Sequence, residues 1–251
     1  MLPTRALSRI DRLPPPPAEP VRSPAVTVTG ETEIRVAGRA GGPSIAARIH
    51  APAGARRAVV ICHPHPLYGG SMHSPVPLAL AKVLSDQARD RVAWARFDFR
   101  GVGGSEGTYD DGRGEVDDAL SVMDELRRAA PGARLSVCGH SFGSWVGLLA
   151  ATAPTAGPGT GAAADVDRVL LLAPSVRFES REGGPLRRPP RSTIFIGDRD
   201  EFCDVDEARA LADELGADLR VFEGFDHHFL KSRRVMAEAA LPVIVPEVVS
   251  P

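Results

Sequence analysis

The sequence predicts an α/β fold in which a mostly parallel central sheet is covered by helices on both faces. Short apolar runs of the length and composition of buried strands recur along most of the chain. Segments with helical spacing of apolar residues lie between these runs, so strand–helix–strand units repeat. The chain has 251 residues, 43% of them hydrophobic, which is enough to bury a sizeable core.

The segments "ETEIRVAG" and "SIAARIH" alternate apolar and polar residues, which predicts an antiparallel pair at a sheet edge. The later runs are predicted to be strands covered on both faces: "RAVVICHP", "VAWARFDF", "RLSVCG", "VDRVLLLAP", "STIFIG" and "ADLRVFEG". The predicted helices are "SPVPLALAKVLSDQA", "GEVDDALSVMDELRRAA", "FGSWVGLLAATA", "DVDEARALADELG" and "HFLKSRRVMAEAA".

The predicted domain organisation is a single folded unit with two tails. Residues 1–25 are rich in proline and arginine and are interpreted as a disordered arm, because such a segment cannot supply a core. Residues 26–245 form the predicted domain, and residues 246–251 form a tail. Residues 154–165 and 175–191 are predicted to be loops, and the second is too short to be a large cap domain.

Composition excludes some classes of function. The net charge of −2 gives no excess of positive charge that would attract nucleic acid or an anionic membrane surface. No apolar run approaches the roughly 18 residues of a membrane span, and the N-terminus has no signal-peptide pattern. The three cysteines are odd in number and far apart, so we expect buried free thiols and a cytoplasmic location.

The candidate chemistry lies where the predicted strands end. The stretch "CGHSFGSW" places Ser141 between Gly139 and Gly143, directly after a strand and before a helix. A nucleophile elbow requires small neighbours because its backbone turns sharply and packs closely. Further along the chain, acidic residues and then histidines follow two other strands. The order Ser, Asp, His is the one expected for a nucleophile elbow on a parallel sheet.

These motifs together resemble those of the serine α/β-hydrolases, and in particular a small bacterial group without a cap domain. The group carries a His-Pro-His-Pro-x-x-Gly-Gly motif, which reads "HPHPLYGG" here, and matches continue in "FDFRGVGGSEG", "DDGRGEVDD", "GHSFGS", "GDRDE" and "FDHHF". The resemblance extends from about residue 28 to about residue 240 and implies an α/β-hydrolase fold with no large cap domain. It says little about the substrate.

The resemblance also assigns the candidate acid and base. The family pattern Gly-x-x-Asp selects Asp200, with Asp198 as the main rival and Asp204 as a further carboxylate nearby. The family's histidine matches His227. His228 occupies a position where the family usually has an apolar aromatic residue. His228 is therefore the alternative candidate for the base.

The expected oxyanion hole combines two backbone amides. Phe142 supplies one because it follows the nucleophile. The second is expected from His65, which lies between Pro64 and Pro66, two residues without an N–H group. Leu67 is the next donor available.

The predicted substrate pocket contains Tyr68, Leu67, His140 and His228. A metal site at His63, His65 and His73 is a weaker hypothesis. The sequence places no acidic residues beside these histidines, and they lack the spacing of metal ligands on a helix. The glycine run in "FDFRGVGGSEG" lacks the spacing of a nucleotide-binding loop and is interpreted as scaffolding. We therefore expect neither a metal nor another cofactor.

The sequence thus predicts a serine hydrolase that cleaves an ester, thioester or lactone of a small acyl substrate through an acyl-enzyme. Two other classes of function stay open. The same fold can host an isomerase, epimerase or cyclase that uses His227 as a proton-transfer base, or a non-catalytic binding protein. The oligomeric state also stays open, with a homodimer as one option.

Overall fold

The protein is described from a computed structural model, which covers residues 26–153, 166–175, 187–189 and 191–246. The predicted arm at 1–25 lies outside the described residues. So do residues 247–251 of the predicted tail, the loop at 154–165, and residues 176–186 and 190 of the second predicted loop.

A single eight-stranded sheet organises the described residues, with the strand order β1-β2-β4-β3-β5-β6-β7-β8. β2 pairs antiparallel with β1 and β4, and the other neighbouring strands pair in parallel. The α/β prediction and the predicted antiparallel edge are therefore confirmed. The strands are β1 Thr32–Val36, β2 Ile45–His50, β3 Arg57–Cys62, β4 Val92–Phe97, β5 Arg134–His140, β6 Val166–Leu172, β7 Ser192–Gly197 and β8 Asp218–Phe222.

Helices cover both faces of this sheet. Every residue of β3, β4 and β7 is buried, although successive side chains point to opposite faces. α1 packs against α5, and α2 packs against α3. The helices are α1 Pro75–Ala88, α2 Arg113–Ala129, α3 Phe142–Thr152, α4 Val205–Leu215 and α5 Arg233–Ile244. None of the helices in the described part of the chain has the length and apolar character needed to cross a membrane.

Two elements differ from the sequence prediction. β8 was expected to be covered on both faces, but it is the edge strand, and all five of its residues are exposed or half-buried. The last helix was expected to include "HFLKS", yet α5 begins only at Arg233. Ser232 fixes this start, because its hydroxyl accepts the amide of Val235 at 3.2 Å as an N-cap. Residues 228–232 are thus free to form a loop next to the predicted site.

A buried ion pair ties the start of the described chain to the sheet. Arg96 on β4 donates from Nε to Glu31 Oε1 at 2.8 Å and from Nη2 to Glu31 Oε2 at 2.6 Å. Both side chains are fully buried. Arg96 Nη1 also donates to the carbonyl of Met72 at 2.9 Å. The pair therefore holds the loop between β3 and α1, which carries the "HPHP" segment, against the sheet.

Candidate active site

Ser141 lies at a sharp turn between β5 and α3. Its backbone has φ 55° and ψ −119°, a conformation that is strained for a residue with a side chain. A Cβ at Gly139 would collide with the carbonyl oxygen of Gly143, and a Cβ at Gly143 would collide with the carbonyl oxygen of His63. The two glycines are therefore needed for close approach of the backbone. The turn leaves Ser141 8% exposed, at the wall of a cavity.

Two further predicted residues lie beside this serine. His227 Nε2 is 2.9 Å from Ser141 Oγ. On the other side of the ring, His227 Nδ1 is 2.9 Å from Asp200 Oδ2. With the proton on Nδ1, the imidazole donates to the carboxylate and accepts the serine O–H. This arrangement can remove a proton from the hydroxyl and stabilise the cation that forms.

Two backbone amides hold the carboxylate of Asp200 in place. Its Oδ1 accepts the amides of Phe202 at 2.8 Å and Cys203 at 3.0 Å, and its side chain is fully buried. The rival carboxylate, Asp198, instead accepts the amide of Gly224 at 2.6 Å. Asp198 thus stabilises the turn after β8, while Asp200 contacts the imidazole.

The second histidine of the pair has a different position. His228 packs edge-on against the ring of His227, with centroids 5.2 Å apart. Burial lowers the pKa of His228 below its usual range, and the neighbouring His227 adds to that effect. Of the two adjacent imidazoles, the one that contacts Ser141 is His227.

His140 precedes the serine and contacts the segment that carries the base. Its Nε2 donates to the carbonyl oxygen of His227 at 2.9 Å. Burial lowers the pKa of His140 far below its usual value, so the ring is neutral. Its Nδ1 has no hydrogen-bond partner among the described residues. His140 therefore fixes the backbone of His227 through a bond that only one of its two tautomers can make.

The loop after β3 is held by its histidines. His63 is fully buried, with Nδ1 donating to the Pro64 carbonyl at 2.6 Å and Nε2 accepting the Phe99 amide at 3.0 Å. Burial lowers its pKa to about 3, which keeps the ring neutral and able to accept that amide. His63 thus links the loops that follow β3 and β4.

His65 lies in the same loop, against the start of α3. Its ring centroid is 4.8 Å from that of Phe142, and burial lowers its pKa to about 4. Its Nδ1 accepts the amide of Leu67 at 3.2 Å. The amide of Leu67, the alternative oxyanion donor, is therefore directed to the His65 ring. The side-chain contact places the two residues expected to supply oxyanion donors, His65 and Phe142, next to each other.

A cavity of about 520 Å³ opens over Ser141, within the size range of small-molecule sites. Tyr68, His140 and His228 line it, as do His65 and His227. The predicted pocket residue Leu67 does not line it, which corrects that expectation. The short 3₁₀ turn at Pro66–Tyr68 places Leu67 at the surface, where it is 41% exposed.

The described lining includes residues that the sequence did not single out. Phe202 packs edge-on against His227 with centroids 4.6 Å apart. Ser175 lines the cavity, and its carbonyl accepts the indole N–H of Trp145. Arg233 joins them from the first turn of α5. Phe202 lies in the acid-bearing loop and could have been inferred from proximity in sequence, whereas no local motif marks Ser175 or Arg233.

The three histidines considered as metal ligands, His63, His65 and His73, have separate hydrogen-bond partners. His73 Nδ1 accepts the amide of Val26 at 3.0 Å, away from the bonds made by His63 and His65. Within the described ranges, no group of three or more His, Cys, Asp or Glu residues has the arrangement of a metal site.

The loop after β4 is bonded to the loop after β3 and to α2. Asp98 Oδ1 accepts the amide of Met72 at 2.7 Å, and burial raises the pKa of Asp98 to about 6. Arg100 of the same loop pairs with Asp118 of α2, with Nη2 and Oδ1 2.8 Å apart. The loop is thus anchored both to the loop after β3 and to α2.

The fold and the position of the cavity define the class of protein as an α/β-hydrolase. Residues 53–190 match the family model Hydrolase_4, described as serine aminopeptidase, S33, and the chain belongs to this family. It is also 31% identical over 181 residues to an uncharacterized protein of Rickettsia prowazekii (strain Madrid E), covering 68% of this chain and 71% of that protein.

Solved structures agree on the fold. An α/β serine hydrolase without a lid from Xanthomonas campestris superposes with a TM-score of 0.73 at 24% identity, covering 90% of this chain and 99% of the other. An α/β serine hydrolase homologue from Coxiella burnetii superposes with a TM-score of 0.67 at 27% identity, covering 86% of this chain and 97% of the other. The chain is therefore a hydrolase-family protein.

Proposed function

We propose that this protein is a serine hydrolase of ester-type bonds, including thioesters and lactones, that works through an acyl-enzyme. The observation that supports the proposal best is the contact between Ser141 Oγ and His227 Nε2, 2.9 Å apart at the wall of the cavity. The strained backbone at Ser141 supports it further, because such strain persists where it serves a function.

In the first half-reaction, His227 Nε2 takes the hydroxyl proton of Ser141 while Oγ forms a bond to the substrate's carbonyl carbon. The amides of Phe142 and His65 receive the negative charge that develops on the carbonyl oxygen. His227 then gives the proton to the leaving oxygen or sulfur as its bond to carbon breaks. Asp200 keeps the imidazole oriented and stabilises its cationic form.

In the second half-reaction, water replaces the leaving group. His227 removes a proton from the water, whose oxygen attacks the ester carbon of the acylated Ser141. Collapse of the tetrahedral intermediate returns the proton to Ser141 Oγ and releases a carboxylic acid. In a lactone, the first leaving group stays attached to the acyl chain, so the product is a hydroxy acid.

The cavity lining favours ester-type substrates over peptides with a free N-terminus. An aminopeptidase has to bind the α-ammonium of its substrate, for which a carboxylate is the usual partner. The described residues that line the cavity include no aspartate or glutamate, and they include the cation of Arg233. We therefore assign ester-type chemistry to this member of the family.

A fluorophosphonate probe tests the proposal, because it reacts with an activated serine. The wild-type protein should be labelled, and the adduct should map to the peptide that contains Ser141. Ser141→Ala should abolish labelling. The matched control is Ser144→Ala, which removes a buried hydroxyl one turn along α3 that bonds the Gly139 carbonyl at 2.7 Å and should leave the protein labelled.

The other classes of function give different results. Absence of labelling in folded wild-type protein would reject acyl transfer and favour a binding protein. Turnover of a natural substrate that survives Ser141→Ala but not His227→Ala would favour an isomerase, epimerase or cyclase.

A further inference from the structure

Arg233 lines the catalytic cavity without a carboxylate partner among the described residues. Its Nε donates to the carbonyl of His228 at 3.0 Å, and the described residues provide no other hydrogen bond or ion pair for the guanidinium. The neighbouring Arg234 has two carboxylate partners, with its Nε 2.8 Å from Glu238 Oε1 and its Nη1 3.8 Å from Asp86 Oδ2. The two arginines are adjacent in sequence, but of the two it is Arg233 that lines the cavity.

The rest of the described lining does not neutralise this charge. It contains no aspartate or glutamate. Burial lowers the pKa of His65, His140 and His228, so these rings are neutral at pH 7. Within the described lining, no anionic side chain balances the guanidinium of Arg233, which lies at the wall of a partly enclosed site where charge interactions are stronger than in bulk water.

We propose that the cavity selects substrates that carry a carboxylate, and that Arg233 binds this group. The inference rests on the proposed function, since it names the class of ester that the Ser141 site accepts. A guanidinium presents a planar set of N–H donors that matches a carboxylate, and its Nε bond to His228 leaves the two terminal nitrogens available. The carboxylate belongs either to the acyl chain or to the leaving group, and the substrates below distinguish these sources.

The acyl arm of the test uses 4-nitrophenyl half-esters of adipic, pimelic and suberic acid, which vary the distance between the ester and the carboxylate. Each is compared with its neutral counterpart, in which the far carboxyl is a methyl ester. The leaving-group arm compares 3-(butanoyloxy)benzoate with its methyl ester. A cationic ester, 4-nitrophenyl 4-(trimethylammonio)butanoate, tests the opposite charge.

The arm that matches the natural substrate should show a kcat/KM about tenfold higher for the carboxylate than for its neutral counterpart, as expected for one charge-assisted contact. Arg233→Gln should reduce this preference, measured as the ratio of kcat/KM for each carboxylate ester to kcat/KM for its neutral counterpart, to about one, because it deletes the guanidinium charge. Arg233→Lys should retain part of it, since lysine keeps the charge without the planar fork. Arg234→Gln is the control and should behave as wild type.

The outcomes separate the two proposals. If Ser141-dependent hydrolysis of neutral esters occurs but carboxylate esters are not preferred in either arm, the inference about Arg233 is wrong and the proposed function stands. An unchanged preference in folded Arg233→Gln, or faster cleavage of the cationic ester, would also overturn the inference. If no ester is hydrolysed and the fluorophosphonate does not react, both proposals fail.

Discussion

Replacement of Glu31 by glutamine tests how strongly the buried ion pair stabilises the fold. The substitution keeps the size of the side chain but removes its charge. Arg96, which is fully buried, would keep the carbonyls of Met72 and Val26 as acceptors and lose its carboxylate. Trp94 Nε1, now 3.1 Å from Glu31 Oε1, would keep an acceptor only if the amide oxygen takes that position.

The expected magnitude follows from the burial of the pair. Removing one partner of a buried ion pair leaves an uncompensated charge and costs about 3–5 kcal/mol of unfolding free energy. Glu33 provides a matched control, because its Oε2 accepts from Arg48 Nη2 at 2.8 Å, a geometry close to that of the buried pair. The Glu33 side chain is 68% exposed, so water screens its interaction with Arg48, and Glu33→Gln should cost less unfolding free energy than Glu31→Gln.

Urea denaturation followed by circular dichroism measures both values. It should be performed at low temperature, because a loss of this size is a large fraction of a typical domain's stability. The double variant Glu31→Gln/Arg96→Met, which also removes the uncompensated charge, should recover part of the loss. Equal losses of unfolding free energy for Glu31→Gln and Glu33→Gln would show that burial does not strengthen the pair of Glu31 and Arg96.

Three further predictions follow from the site. The unfolding free energy should fall as the pH drops below 6.5, because the unfolded state protonates His63 while the folded state holds it neutral down to a pKa of about 3. This histidine alone contributes roughly 1.5 kcal/mol between pH 6.5 and 5, and His63→Gln should flatten the pH slope measured by urea denaturation. Asp200→Asn should lower kcat by about 10⁴, because it disturbs the orientation and tautomer of His227, whereas Asp198→Asn, which acts at a turn, should retain activity in the same nitrophenyl ester assay. His140→Phe should lower kcat about tenfold to a hundredfold without a matching rise in KM, because it releases the backbone of His227, and an unchanged kcat would show that this bond is dispensable.

The sequence was most informative where a local pattern has one physical solution. Alternating residues in β1 and β2 predicted the antiparallel edge, and buried runs predicted the parallel strands. The glycines around Ser141 predicted a tight turn because only residues without a side chain permit that approach of the backbone. These features depend on neighbours in sequence, so one chain is sufficient to predict them.

The features that were missed depend on contacts between distant segments. Arg233 lines the cavity because α5 begins after its N-cap Ser232 and not at His228, as the sequence predicted. The residues between them form a loop. Arg100 pairs with Asp118 on another element, and Arg96 pairs with Glu31 across 65 positions of the chain. Leu67 was expected in the pocket, but the 3₁₀ turn at Pro66–Tyr68 directs neighbouring side chains to different sides.

Direct detection of the acyl-enzyme is the most informative measurement. The protein would be mixed with a 4-nitrophenyl ester, quenched in acid within milliseconds, digested and analysed by mass spectrometry. We expect the acyl group to be attached to the peptide containing Ser141 and to accumulate before steady-state release of acid. Turnover of the ester with the acyl group on another residue, or with no covalent species at any quench time and an unchanged rate in Ser141→Ala, would contradict the assignment of Ser141 as the nucleophile.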